Sequence, residues 1–234
     1  MAIDVRFVCC TSTAMTTLPI LYSFRRCPYA MRARLALLSS GMTVELREIV
    51  LRDKAPEFLE TSPSGTVPCL TNEGRVIDES LDIMLWTLEQ HDPEGWLQPA
   101  GGTLDEMIAL ISTCDGPFKR HLDRYKYDTR YADADPVVER TAASEFLLSL
   151  EERLKGQPWL FGPKASLADF AILPFVRQFA NADRAWFDAE DWPALKEWLS
   201  GFETSGQFQA IMPKWSKWHA GNAPVFFPLE QAVT

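Results

Sequence analysis

The hydrophobic and polar positions of this 234-residue chain follow different patterns in its two halves. In the first half, Leu18–Ser23 is typical of a strand, Tyr29–Ser40 of an amphipathic helix and Thr43–Val50 of a second strand. The remaining elements of this half are a helix, two strands around a turn and a further helix, predicted at Ala55–Glu60, Val67–Leu70, Arg75–Ile77 and Glu79–Gln90. The order βαβαββα is typical of a compact α/β domain.

Strand signals disappear after residues 91–102, whose proline and glycine content is that of a linker. Beyond the linker, apolar residues recur at helical spacing. This spacing predicts helices at Leu104–Lys119 and beyond, Pro136–Leu154, Leu167–Phe179 and Ala194–Thr204, with a shorter one near Phe208–Ile211. Ser166 and Asp169 stand three residues apart before an apolar run, which predicts a capping box.

The predicted fold class is therefore α/β plus all-α: an N-terminal α/β domain followed by a C-terminal helical bundle. The predicted divisions are a loose extension at 1–16, the α/β domain at 17–90, the linker at 91–102, the helical domain at 103–212 and a tail at 213–234. The tail is rich in tryptophan and proline, and we expect it to wrap around the surface.

Composition argues against several classes of function. The net charge of −9 disfavours non-specific binding to nucleic acid or to an anionic membrane, because both require a basic surface. No apolar run is long enough to cross a bilayer. The odd count of five cysteines favours a reducing compartment, here the cytoplasm, over a disulfide-stapled secreted fold. Neither the cysteines nor the three histidines have zinc-ligand spacing, so no metal site is predicted.

Cys27 is the strongest candidate for chemistry. It follows the first predicted strand, and Pro28 suits the first position of the next helix because no N–H partner is needed there. Cys27 then caps the helix, where free N–H groups and the helix dipole favour an anion. With Arg25 and Arg26 adjacent, we expect the thiol pKa to lie below that of a free cysteine. A buried structural thiol is the alternative interpretation of an isolated cysteine.

The motif that begins at Cys27 has alanine, Ala30, where a C-x-x-C pair has its second cysteine. No resolving thiol therefore lies one helical turn away. Redox chemistry at Cys27 would need a partner from elsewhere, most simply a small thiol.

Over about residues 17–212, the chain resembles the cytosolic glutathione transferase superfamily. Its Cys-Pro-Tyr-Ala motif at residues 27–30 is most similar to the omega class, its bacterial relatives and the two-domain bacterial glutaredoxins. Four more motifs follow in the family's order, at Leu51-Arg52-Asp53-Lys54, at residues 62–68 (Ser-Pro-Ser-Gly-Thr-Val-Pro), at Asp78-Glu79-Ser80 and at Ser166-Leu167-Ala168-Asp169. The resemblance implies a bacterial member with a thioredoxin-like N-terminal domain.

The resemblance also implies a set of glutathione-binding residues, namely Tyr29, Lys54, Val67, Pro68, Glu79 and Ser80. Val67 would precede a cis bond to Pro68 and pair its backbone with the cysteinyl amide of glutathione. Glu79 and Ser80 would hold the γ-glutamyl end at a helix start. Lys54 would pair with the glycyl carboxylate. Without the family, these positions are interpreted as a loop-to-strand junction, a helix cap and a solvated lysine.

Residues 121–131 are dense in aromatic and basic side chains. The resemblance puts the second substrate between Cys27 and the helical domain, and Arg124, Tyr125 and Tyr127 are the candidates to line its pocket. Such a pocket would suit a flat or anionic substrate. The alternative interpretation is a solvated helix end and loop.

These features predict a glutathione-dependent thiol transferase or reductase that forms a mixed disulfide between Cys27 and glutathione. Glutathione is then a cosubstrate, and the other substrate is a small electrophile or disulfide. One alternative is conjugation of glutathione to electrophiles, for which the hydroxyls of Tyr22 or Ser23 lie just upstream. The other is a non-catalytic binding protein on the same fold. The resemblance further implies a homodimer.

Overall fold

The computed structural model describes residues 18–229; the predicted extension at 1–16 and residues 230–234 of the tail lie outside this range. The strands are β1 Ile20–Ser23, β2 Val44–Glu48, β3 Cys69–Asn72, β4 Arg75–Ile77 and β5 Phe226–Phe227. The α-helices are α1 Pro28–Ser40, α2 Pro56–Thr61, α3 Ser80–Gln90, α4 Leu104–Thr113, α5 Lys119–Lys126, α6 Pro136–Leu154, α7 Leu167–Ala180, α8 Arg184–Ala189, α9 Pro193–Thr204 and α10 Gly206–Ile211.

The N-terminal part forms a thioredoxin-like domain around a mixed sheet with the strand order β4-β3-β1-β2-β5. β1 and β2 are parallel because α1 crosses over between them, and the other neighbouring strands are antiparallel. Leu21 lies opposite Leu46 in one ladder and opposite Leu70 in the other. All three leucines are buried in the main hydrophobic cluster, which fixes the register of the central strands.

The part of the chain between the linker and residue 212 is helical. α4 and α5 follow one another without a loop, as the spacing predicts. A π-helical turn at Cys114–Phe118, which contains Pro117, joins them. The capping box is confirmed, because the Asp169 carboxylate accepts the Ser166 N–H at 2.9 Å. α8, at Arg184–Ala189, was not predicted from the sequence. No helix between residues 18 and 229 is long and apolar enough to cross a membrane.

The tail returns from the helical domain to the edge of the sheet. The Trp218 N–H donates to the Glu48 carbonyl at 2.9 Å, and the Trp218 ring lies 4.3 Å from the Arg47 guanidinium. β5 then pairs antiparallel with β2, and Phe227 is only 1% exposed. Two strand residues give no readable alternation, so the sequence pattern did not predict this strand.

Candidate active site

Cys27 lies where the chain leaves β1 and enters α1. The Met31 N–H donates to the Cys27 carbonyl at 2.9 Å, and Pro28 occupies the first helical position, as the sequence predicts. The thiol is half-buried against a small hydrophobic cluster that includes Phe58. It donates to the Val67 carbonyl with 3.6 Å between sulfur and oxygen. The sulfur therefore faces both a helix N-terminus and the loop before β3.

The electrostatics of Cys27 differ from the sequence prediction. Burial raises the pKa of the Cys27 thiol above its ordinary value, outweighing the backbone N–H groups of Ala30 and Tyr29, which lower it. The charges that favour the thiolate belong to Arg34 and Lys119. The prediction of a lowered pKa for Cys27 was wrong, because the effect of desolvation exceeds that of the helix N-terminus.

Arg25 and Arg26 are not the source of positive charge at the sulfur. The Arg25 side chain donates to the Met212 carbonyl at 3.5 Å, and Arg26 is exposed and lies over the Phe24 ring at 5.7 Å. Arg34 instead lies fully buried beneath β1 and donates to the Arg25 carbonyl at 2.6 Å. Burial lowers the pKa of Arg34 to about 10, which still leaves it cationic at neutral pH.

Val67 presents an open backbone edge beside the thiol. The bond between Val67 and Pro68 is cis, as the resemblance implies. Among the described residues, the Val67 N–H has no hydrogen-bond acceptor, and the Val67 carbonyl accepts only the Cys27 thiol. An extended peptide could pair with this edge as an added strand does.

The start of α3 holds Glu79 and Ser80 in different environments. Glu79 is the N-cap residue and is exposed, and its side chain caps nothing. Ser80 is buried, and its hydroxyl accepts from the guanidinium of Arg32 at 3.3 Å. Asp78, just before them, accepts from the Ser62 hydroxyl at 2.9 Å. This contact ties the loop that leads to Val67 to the same helix start.

Lys54 lies between a short turn and α2, and it is half-buried. Within residues 18–229 its ammonium group forms no salt bridge. Its neighbour Asp53 pairs with Lys217 of the tail. The tail thus anchors the turn that carries Lys54.

A cavity of about 530 Å³ opens beside Cys27. Its walls come from both domains: Phe24, Arg26, Cys27, Pro28, Tyr29, Leu51, Lys119, Asp123, Lys126, Tyr127, Arg130, Tyr131 and Gln178. Tyr29 is half-buried here, with its ring edge against Phe175 at 4.7 Å between centroids. A cavity of this size accommodates a small organic molecule in contact with the sulfur.

Of the predicted second-substrate residues, only Tyr127 lines this cavity. Arg124 points the other way and pairs with Glu139 and Asp133. Tyr125 packs its ring against Phe179, with 5.4 Å between centroids. Arg124 and Tyr125 are therefore excluded from the cavity because they lie on other faces of α5.

The sequence reasoning missed Lys119 and Lys126, which line the cavity from α5, together with Arg130 just beyond it. A signal for them exists in the sequence. Lys119, Asp123 and Lys126 follow one another at intervals of four and three residues, which puts them on one helix face. Helical spacing groups these side chains on one face, but only the tertiary structure shows that this face of α5 borders the cavity.

The other nucleophile candidates near β1 are occupied. The Tyr22 hydroxyl accepts from Arg47 at 2.8 Å, and the Ser23 hydroxyl accepts from Arg34. Both residues are buried. Cys69 and Cys114 are free thiols with no exposed surface. Among the described residues, Cys27 is the one cysteine that borders the cavity.

Comparisons with known proteins match both domains. The family described as "Glutathione S-transferase, N-terminal domain" matches residues 21–96, and "Glutathione S-transferase, C-terminal domain" matches residues 128–200. The chain is 39% identical over 196 residues to "Glutathione S-transferase omega-1" of Rattus norvegicus, which covers 76% of this chain and 74% of that protein.

Solved structures show the same fold. This chain is similar to the crystal structure of a glutathione transferase family member from Pseudomonas fluorescens pf-5 with two glutathione bound, with a TM-score of 0.73 and 19% identity. The match covers 86% of this chain and 95% of that chain. Glutathione transferase Omega 3C from Trametes versicolor has a TM-score of 0.69 and 20% identity, and covers 86% of both chains. With both domains matched in sequence and in fold, this chain belongs to the glutathione S-transferase family of enzymes.

Proposed function

We propose that this enzyme is a glutathione-dependent thiol transferase that acts through a mixed disulfide between Cys27 and glutathione. The observation that carries the proposal is the position of the Cys27 sulfur, at a helix N-terminus and at the edge of a cavity. The omega-class relative at 39% identity supports the same assignment. The Cys-Pro-Tyr-Ala motif at residues 27–30 adds to it and favours a bacterial, omega-like member.

The proposed reaction has two exchange steps. In the first, the Cys27 thiolate attacks the glutathionyl sulfur of a disulfide R–S–S–G, forming the Cys27–glutathione disulfide and releasing RS⁻, which takes up a proton. In the second, the thiolate of a second glutathione attacks the same glutathionyl sulfur and regenerates Cys27. The sum is RSSG plus GSH giving RSH plus GSSG, so glutathione supplies both electrons.

Glutathione would lie along the open edge of Val67. Its cysteinyl amide would pair with the Val67 N–H and carbonyl, which brings its sulfur next to Cys27. The γ-glutamyl carboxylate would lie at the N-terminus of α3 and accept a hydrogen bond from Ser80, and the exposed Glu79 would help to hold the γ-glutamyl ammonium group. Lys54, which has no ion-pair partner among the described residues, would meet the glycyl carboxylate.

Conjugation of glutathione to electrophiles is less well supported. A conjugating site needs a hydroxyl that stabilises the glutathione thiolate. The hydroxyls of Tyr22 and Ser23 are buried and already accept hydrogen bonds from Arg47 and Arg34. The Cys27 thiol is then the group that would lie next to the glutathione sulfur.

We also propose that the enzyme is a cytoplasmic homodimer. The free thiols of Cys27, Cys69 and Cys114 are consistent with a reducing compartment. The dimer rests on the family resemblance. Size-exclusion chromatography with light scattering tests it, and a monomeric mass at micromolar concentration would contradict it.

Intact mass spectrometry after incubation with oxidised glutathione tests the mechanism. We expect one glutathionyl adduct per chain, mapped to Cys27 and absent from Cys27→Ser. Circular dichroism of the variant controls for folding. An adduct confined to Cys9 or Cys10, or no adduct, would overturn the proposal.

A further inference from the structure

The cavity beside Cys27 is basic although the chain is acidic. Four cationic side chains line it, Arg26, Lys119, Lys126 and Arg130, against a single carboxylate, Asp123. Lys119 pairs with Asp123. The chain as a whole has a net charge of −9. Positive charge is thus concentrated where a second substrate would meet the reactive sulfur.

Three of these cations have no anionic partner. Within residues 18–229, the side chains of Arg26, Lys126 and Arg130 form neither a salt bridge nor a hydrogen bond. Lys126 is half-buried, and its pKa is lowered by burial and by the nearby charges of Arg177 and Lys119. Repulsion among clustered cations is relieved when an anion binds between them.

Aromatic rings separate the cations. Arg130 lies 4.3 Å and Lys126 5.4 Å from the centre of the Tyr127 ring, and Lys119 lies 5.7 Å from the centre of the Tyr29 ring. Phe24 and Tyr131 complete the aromatic lining of the cavity. A volume of about 530 Å³ is larger than an inorganic anion needs and suits a molecule with one aromatic ring.

We infer that this cavity binds an aromatic thiol that carries a carboxylate, presented as its mixed disulfide with glutathione. The inference rests on the proposed function and names its substrate class. The carboxylate lies among Lys126, Arg130 and Arg26, and the ring lies between the tyrosines. When Cys27 attacks the glutathionyl sulfur, the aromatic thiolate leaves at the opposite end of the ring from the carboxylate, where Lys119, a cation that acts on the Cys27 sulfur, stabilises its charge until it takes up a proton.

A second glutathione is the alternative ligand for this cavity, because it is also anionic. The similar structure from Pseudomonas fluorescens pf-5 has two glutathione bound. Glutathione has no ring to place against Tyr127 and Tyr29. The two occupants differ in kinetics. If the cations bind the second glutathione, their loss would raise the KM for glutathione with every disulfide substrate. If they bind the aromatic thiol, their loss would lower kcat/KM only for disulfides with an anionic leaving group.

The test compares two mixed disulfides of glutathione, one with para-mercaptobenzoate and one with para-mercaptobenzamide, which differ in charge but little in shape. The variants are Lys126→Met, Arg130→Met and the double variant; Lys164→Met, an exposed lysine outside the cavity, is the control. We expect the ratio of kcat/KM for benzoate over benzamide to fall by about tenfold or more in the double variant and to stay constant in Lys164→Met. Comparing this ratio between each variant and the wild type cancels the difference in leaving-group reactivity between the two disulfides.

A binding arm uses para-methylthiobenzoate, which cannot be reduced, in calorimetric titrations of wild type and the double variant. We expect para-methylthiobenzoate to bind to the wild type with an affinity that decreases as salt is added. We expect its affinity for the double variant to be lower than for the wild type. An unchanged ratio, or an equal loss for both disulfides with a raised KM for glutathione, overturns the inference. If neither disulfide turns over and Cys27 forms no adduct, the proposed function fails, and the binding arm alone decides whether the anion site exists.

Discussion

Arg32 binds Asp115 through both carboxylate oxygens, at 2.7 and 2.8 Å. Arg32 is fully buried on α1, and Asp115 lies in the π-helical turn of the helical domain. The same guanidinium donates to the Ala171 carbonyl at 2.6 Å and to the Ser80 hydroxyl at 3.3 Å. One side chain thus joins the two domains and contacts the start of α3, where we place the γ-glutamyl end of glutathione.

We expect Asp115→Ala to destabilise the protein by about 3 kcal/mol, because it leaves the Arg32 charge buried without its partner. Chemical denaturation measures the free energy of unfolding. Glu152→Ala, which removes an exposed pair with Lys155, is the control and should change stability little. A loss in Asp115→Ala no larger than in this control would show that the contact between Arg32 and Asp115 does not hold the domains.

The pH dependence of Cys27 follows from its raised pKa. Below that pKa the thiol is protonated, so the rate of alkylation by iodoacetamide should increase with pH and reach half its maximum above the ordinary value for a cysteine. Lys119→Met removes a cation that favours the thiolate, so its midpoint should lie higher still. Subtracting the rate of Cys27→Ser isolates the Cys27 contribution. A midpoint below the ordinary value would contradict the dominance of burial.

Glutathione affinity should depend on the start of α3. We expect Glu79→Ala and Ser80→Ala each to weaken binding by about 1–3 kcal/mol, the usual loss for a hydrogen bond to a charged group. Calorimetric titration measures the change, and Glu89→Ala near the other end of the same helix is the matched control. Equal affinity in all three variants would show that the side chains of Glu79 and Ser80 do not bind glutathione.

The two phenylalanines of β5 offer an internal comparison for the tail. Phe227 is 1% exposed and Phe226 is 45% exposed, although they are adjacent in one strand. We expect Phe227→Ala to lower the free energy of unfolding by about 3–5 kcal/mol and Phe226→Ala to lower it much less. Similar small losses in both would mean that the sheet does not depend on its fifth strand.

Removal of the thiol separates reduction from conjugation. We expect Cys27→Ala to abolish reduction of a glutathione mixed disulfide, because the covalent intermediate can no longer form. Weak conjugation of glutathione to an aromatic halide is expected to persist or increase, since helix N–H groups still face bound glutathione. A wild type that conjugates well, reduces nothing and does not change with Cys27→Ala would favour the conjugase.

Local features of the sequence were sufficient for most of the elements and for placing Cys27 at the start of a helix. Alternation and helical spacing act between near neighbours, so they located the strands at Leu18–Ser23 and Thr43–Val50 to within two residues. Pro28 determined where α1 begins and thereby made Cys27 its cap. Ser166 and Asp169 formed their capping box because both partners lie within one turn.

The tertiary structure decided which charges meet the sulfur. Helical spacing puts Arg32 and Arg34 off the apolar face of α1, yet both side chains are fully buried. Asp115 and Ala171 accept hydrogen bonds from Arg32, and Ser23 accepts one from Arg34. Contacts between residues far apart in sequence leave no periodic trace.

The same reason explains the sulfur and the cavity. Arg25 and Arg26, its neighbours in the chain, predicted a lowered pKa for the Cys27 thiol. Cys27 packs instead against a cluster assembled from distant parts of the chain, which includes Phe58 and Val67, and this burial raises the pKa. The basic stretch was visible in the sequence, whereas the rotation of α5 selected Lys126 for the cavity and turned Arg124 toward Glu139. The sequence by itself determined the fold and placed Cys27 at the start of α1, and the packing of the helical domain against the thioredoxin-like domain decided which charged side chains line the cavity beside it.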